Sequence, residues 1–79
     1  MRTREPAPTD APRMAALGAA IRTLREAAGE SKAAAAEAMN LNRTYFRGIE
    51  AGERNISLER LFDIADHYGV KVASLLEHA

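Results

Sequence analysis

Residues 31–50 read SKAAAAEAMNLNRTYFRGIE, and this stretch decides the architecture. Ser31 can offer its hydroxyl to the unpaired amides that open a helix, and the alanine-rich run from Lys32 to about Met39 favours one. Asn40 follows, and asparagine is the commonest non-glycine residue in the left-handed conformation that closes a tight turn. Asn42 then caps a further helix, from Arg43 to about Ala51, and Gly52 ends it. Ala36 is small where the two short helices must cross. Leu41 tucks beneath the turn, Phe46 and Ile49 anchor the second helix in a core, and Arg43, Thr44 and Arg47 point away from it.

Upstream, Leu17, Ile21, Leu24 and Ala28 recur at spacings of four, three and four, one face of a helix that begins at Arg13 and stops at Gly29. Downstream, Ser57 caps a fourth helix with Glu59 in its first turn, where a negative charge suits the helix dipole. Its apolar stripe reads Leu58, Leu61, Phe62 and Ala65, and Gly69 terminates it. Val70, Val72, Leu75 and Leu76 predict a short fifth helix. The fold class is therefore all-α, with five helices, no strand, no internal repeat and connections short enough for one compact domain over residues 13–79. Residues 1–12 hold all three prolines among mixed charges and read as a disordered N-terminal tail.

The chain has 79 residues, seventeen of them alanine, with 5% aromatics. A domain this small buries only about 60% of its unfolded surface, so it depends on a tight helical core or on self-association. Cysteine is absent, which excludes disulfides, a thiolate zinc site and a thiol nucleophile. Two histidines, His67 and His78, make no cluster of ligands; both are expected to be exposed, and neither metal nor cofactor is expected. Ser31, Ser57 and Ser74 have no histidine or acid pattern to activate them, and Gly29, Gly48, Gly52 and Gly69 are scattered singly rather than gathered in a phosphate loop. An enzyme is not expected. With neither an apolar span nor a signal-peptide core, the chain is expected to be soluble and cytoplasmic, with no membrane partner. A ligand pocket of a few hundred Å³ is not expected either, so no small-molecule ligand is foreseen.

Two short helices joined by a tight turn, the second capped and arginine-bearing, describe a helix-turn-helix of the DNA-binding kind, formed by helices 2 and 3. Formal net charge is zero, but its distribution is uneven. Residues 13–56 carry seven basic groups against five acids, and residues 57–79 carry two against four, Lys71 and Arg60 reading as surface charges. Such asymmetry is a reason to look for an anionic partner. Arg43 and Arg47 would also suit an ordinary solvated helix face, Thr44 a plain helix start, and Tyr45 a packing role.

The run LNRTYFRGIEAGERNISLERLFDIADHYGV, with the upstream LGAAIRTLREAAGESK, resembles the Cro/lambda-repressor type of helix-turn-helix, the xenobiotic-response-element family of transcription regulators, over about residues 14–76. The segment NRTYFRGIEAGERNISL is especially similar to the controller proteins of restriction-modification systems, small dimeric regulators of their own promoters. The resemblance implies a lambda-repressor-like DNA-binding domain with double-stranded DNA as its partner. It places Lys32 where the family usually has a phosphate-binding glutamine, and Arg43 and Thr44 in the turn that reads base edges, where an arginine can grip guanine O6 and N7. Asn42, Tyr45, Arg47, Arg54 and Asn55 complete the implied DNA-binding set, as backbone or groove contacts. Arg25 and Glu50 match a buried ion pair that ties helix 1 to the recognition helix. Two departures stand out. Ala35 replaces a customary leucine, a change that costs about 2–5 kcal/mol in a packed core unless Met39 fills the space. Gly48 lies inside the recognition helix, where its missing side chain would let the helix approach the groove closely.

A single recognition helix reads few base pairs, and Leu58, Phe62, Val72, Leu75 and Leu76 exceed what short helices need for their own core. A homodimer paired through these residues on a palindromic operator, with RNA polymerase as a further partner, is the expected mode of action. The alternative from another class is an antitoxin-like protein-interaction module using the same fold, and a third is the DNA-binding end of a chain whose sensor lies elsewhere. Arg2, Arg4 and Arg13 make the tail either inert or a DNA-touching arm.

Overall fold

The helix signals of the sequence become five helices in the computed structural model, which describes residues 11–77 and Ala79: α1 (Ala11–Ala27), α2 (Lys32–Ala38), α3 (Arg43–Glu50), α4 (Leu58–Tyr68) and α5 (Val72–Leu76). No strand occurs among the described residues. The expected tail falls largely outside them, as does His78. Its last two residues, Ala11 and Pro12, belong to α1 instead. Proline is at home there, because its fixed φ suits a first turn and its missing N–H would have had no partner.

Three side chains open their helices: Ser31 Oγ accepts from the Ala34 amide at 3.0 Å, Asn42 Oδ1 from Tyr45 at 3.0 Å and Ser57 Oγ from Arg60 at 3.1 Å. The α2–α3 turn is closed by Asn40 at φ 55, which lets the Leu41 amide reach back to the Ala36 carbonyl at 2.8 Å. Leu41 is thereby folded under the turn, 8% exposed. Gly52 ends α3 at φ +76, and a Cβ there would lie 2.8 Å from the Ala15 Cα, so both backbone angle and space demand glycine.

α1 is the hub. It packs against α3, α4 and α5, while α2 packs on α3 and α4 on α5. Its buried line is Gly18, Ile21 and Arg25, with Leu17 and Leu24 at the flanks. This face is rotated from the expected one, and Ala28 lies exposed beyond the helix end. The reason is Gly18: a Cβ there would sit 2.6 Å from the Ile49 carbonyl oxygen and collide with that of Glu50, so α1 presses its bare backbone onto the C-terminal end of α3.

Phe46, Ile21, Ile49 and Ile64 are the largest fully buried side chains. Ala35 and Ala36 are completely buried and share the core with Met39, which is 8% exposed. In α4 the buried residues are Leu61, Ile64 and Ala65, whereas Leu58 and Phe62, expected in the stripe, are 63% and 50% exposed. α4 thus turns one apolar line inward and offers a second to solvent. No helix among the described residues is long and apolar enough to cross a membrane.

Candidate nucleic-acid interface

The cap at Asn42 starts α3 directly on Arg43, so Arg43 and Thr44 occupy its first turn, both exposed, and Arg47 follows one turn later on the same side. Lys32 opens α2 beside them. Lys32, Thr44, Arg47 and Arg54 line one open groove of about 360 Å³, together with Glu53. Among the described residues, no carboxylate forms an ion pair with Lys32, Arg43, Arg47 or Arg54. Four cations on α2, α3 and the loop after α3 therefore remain available to an anionic partner. The larger groove, about 510 Å³ between the end of α2 and α4, includes Asp63 and Asp66 and has no comparable basic lining.

The loop after α3 is tied back to α3 at two points. The Glu53 amide donates to the Gly48 carbonyl at 2.8 Å, and the Tyr45 hydroxyl donates to the Asn55 carbonyl at 3.1 Å. Tyr45 is half-buried, so its ring packs while its hydroxyl holds the loop. Asn42 spends its amide oxygen on the cap, which leaves its NH2 group as a donor. Arg54 and Asn55 are exposed.

Beneath this face lies a buried ion pair. Arg25 Nε meets Glu50 Oε2 at 2.7 Å and its Nη2 meets Oε1 at 3.2 Å, with Arg25 8% and Glu50 2% exposed. Arg25 Nη1 also donates to the Glu30 carbonyl at 2.8 Å, and Arg22 Nη2 reaches the Glu50 carbonyl at 3.4 Å. Glu50 is the last residue of α3, where carbonyl dipoles already concentrate negative charge, so its carboxylate depends on these two arginines. Its hydrogen bond holds the Arg25 guanidinium above its ordinary value, against the opposing effect of burial. The pair joins α1 to the C-terminal end of α3, the helix that carries Arg43, Thr44 and Arg47.

Sequence reasoning passed over two features. One is Gly18. The other is the contact of His67 with Glu30, Nε2 to Oε2 at 2.8 Å: His67 is exposed, as expected, but its ring is engaged by a carboxylate. The His67 ring also meets Tyr68 edge-on, with centroids 4.7 Å apart. Burial is the largest single influence and would raise the Glu30 carboxyl, but His67, Tyr68 and the nearby Arg25 charge together outweigh it and lower it. Burial first, and the Glu30 carboxylate second, push the Tyr68 hydroxyl up. No local signal announces this contact, because Glu30 and His67 lie far apart in the chain.

The expected dimer residues separate into two groups. Leu58, Phe62 and Leu76 are exposed, Leu76 by 44%. Val72 is partly buried against the core, and Leu75, at 2% exposure, belongs to it. Leu75 is thus occupied within the single chain, since α5 docks through it onto the helices it must cover.

A helix-turn-helix domain family profile matches residues 16–79. Among solved structures, the restriction-modification controller protein C.AhdI from Aeromonas hydrophila is 32% identical at a TM-score of 0.75, over 78% of this chain and 94% of that one. The clp gene regulator ClgR from C. glutamicum is also 32% identical, at 0.74, over 82% of this chain and 84% of that one. A hypothetical transcription factor, NHTF, from Neisseria is 29% identical at 0.77, over 96% of this chain and 85% of that one. A comparison with curated protein sequences found no match.

Proposed function

We infer, for a chain that belongs to the helix-turn-helix domain family and is a DNA-binding transcription regulator, that it reads a palindromic operator as a homodimer in the cytoplasm. Arg43 and Thr44 read base edges in the major groove, while Lys32, Asn42, Tyr45, Arg47, Arg54 and Asn55 hold backbone or groove. The observation that carries this reading is the set of four cations across α2, α3 and the following loop that pair with no carboxylate among the described residues. Phosphate neutralisation by such groups supplies affinity, and bidentate arginine–guanine contact supplies specificity.

Dimerisation proceeds through Leu58, Phe62 and Leu76, with Val72 at the edge. Exposed leucine and phenylalanine on two adjacent short helices are what a second copy would cover, and pairing them sets two copies of α3 about one DNA turn apart. A dimer beside a promoter then acts by excluding or recruiting RNA polymerase. The likeness to a restriction-modification controller and to a clp gene regulator is equal in identity, so the proposal is the function class the two share.

Selection from a random duplex library at roughly 150 mM salt, where surface electrostatics are screened to about 8 Å, tests the reading. An enriched palindrome with half-sites one helical turn apart is expected. Binding without sequence preference would move the assignment to the protein-interaction module. Phe62→Glu is expected to reduce the mass seen by light scattering to that of a monomer, and an unchanged dimer mass would reject this interface.

A further inference from the structure

Gly48 sits mid-helix in α3, where glycine is the poorest choice after proline. The backbone does not ask for it: Gly29, Gly52 and Gly69 have positive φ, and Gly48 does not. Space does. A Cβ on Gly48 would collide with Arg54 Cγ, with Arg54 Nε at 3.3 Å and Cδ at 3.4 Å. The Arg54 stem thus lies across the bare stretch of α3 that Gly48 provides. The residues on either side of Arg54 are hydrogen-bonded to the same helix, Glu53 by its amide to the Gly48 carbonyl and Asn55 by its carbonyl to the Tyr45 hydroxyl. Gly48 therefore faces the loop, and the close approach it permits is that of Arg54 rather than of a DNA groove.

We propose that Gly48 is a positioning residue for DNA-backbone binding: its notch lays the Arg54 stem against the recognition helix, so that the guanidinium is held with Lys32 and Arg47 as a cradle for DNA phosphate. A guanidinium offers several donors in a fixed fork, and a packed stem leaves less rotamer freedom to lose when phosphate is bound. Loop and helix then present one charged surface. This inference rests on the DNA-reading role of the α3 face given above, and it adds the requirement that Arg54 acts through Gly48.

The test is a double-mutant cycle on the duplex enriched by the selection, with affinity followed against salt. Arg54→Ala is expected to weaken binding roughly tenfold per protomer, as loss of a charged hydrogen bond does, and to make the slope of log K against log salt shallower by about 0.9 per protomer, about 1.8 for the dimer. Gly48→Ala should reproduce most of both changes when Arg54 is present. Added to Arg54→Ala, it should change affinity by less than about twofold, because no stem remains to be displaced. The thermal midpoint of that double variant should equal or exceed that of Arg54→Ala alone, since alanine is the better helix former. The inference is overturned if Gly48→Ala binds like the wild type. It is overturned equally if Gly48→Ala costs as much on top of Arg54→Ala as it does alone, which would mean that Gly48 meets DNA itself. Wild-type binding unaffected by Arg54→Ala overturns it too, while leaving the DNA-reading role intact. A wild-type chain that enriches no duplex overturns that role first.

Discussion

Arg25 and Arg43 carry the same side chain and have opposite fates. Arg25, on α1, is 8% exposed and gripped side-on, through Nε and Nη2, by the Glu50 carboxylate. Arg43, the first residue of α3, is exposed, and no carboxylate among the described residues pairs with it. A guanidinium inside the protein needs a fixed partner and contributes placement more than net stability, because desolvation offsets most of the attraction. A guanidinium outside retains its hydration and is free to exchange water for phosphate or a base edge. The difference between a structural arginine and an exposed one lies in what is buried next to them, not in residue type.

Breaking the buried side of this contrast should have the largest effect. Arg25→Met leaves Glu50 buried without its main partner, and we expect a loss of about 3–5 kcal/mol in urea unfolding. A loss below about 1 kcal/mol would mean that Glu50 turns to Arg22 or to water, and that the pair does not place α3. Next, Gly18→Ala forces a methyl group onto the carbonyls of Ile49 and Glu50, and overpacking of this kind costs about 1–3 kcal/mol. An unchanged unfolding midpoint would show that α1 and α3 can separate without penalty.

On the exposed side, Arg43→Ala should leave stability within about 0.5 kcal/mol, as surface substitutions usually do. The same variant should lose about 1–3 kcal/mol of discrimination at one operator position. Uniform loss across all sequences would instead make Arg43 a phosphate contact.

The smallest effect concerns Glu30, whose folded carboxyl lies below its ordinary value of 4.5. A depressed carboxyl contributes stability that is fully present above the unfolded value and is lost as pH falls through the folded one. His67→Ala removes the hydrogen bond that depresses it. The stability gap between wild type and variant should therefore be widest above about pH 4.5 and close as acid is added. A gap that is constant from neutral pH into acid would assign the His67 contribution to packing alone.

The caps and the turn were legible because they are local. Ser31, Asn42 and Ser57 each bond an amide three residues on, and Asn40 needs only its own backbone angle to reverse the chain. The stripes of α1 and α4 were legible as helical but not in their rotation. Several apolar lines fit the same spacing, and choosing Leu61, Ile64 and Ala65 over Leu58 and Phe62 depends on where α1 and α5 lie. Gly48 was conspicuous in the sequence as a weak helix residue, but its neighbour Arg54 comes into view only when the loop folds back.

Short-range chemistry was therefore enough to specify five helices, their boundaries to within a residue or two, a tight turn between α2 and α3, and an α3 that begins on Arg43 and Thr44. A capping hydrogen bond or a left-handed turn is settled by neighbours within four residues, and these are adjacent in any conformation that forms the helix. Packing settled the rest: Gly18 against the end of α3, Leu75 in the core, His67 on Glu30 and Arg54 across Gly48. Each of these depends on which surfaces meet once α1, α3, α4 and α5 compete for the same buried space, and many sequences with the same local signals would resolve that competition differently.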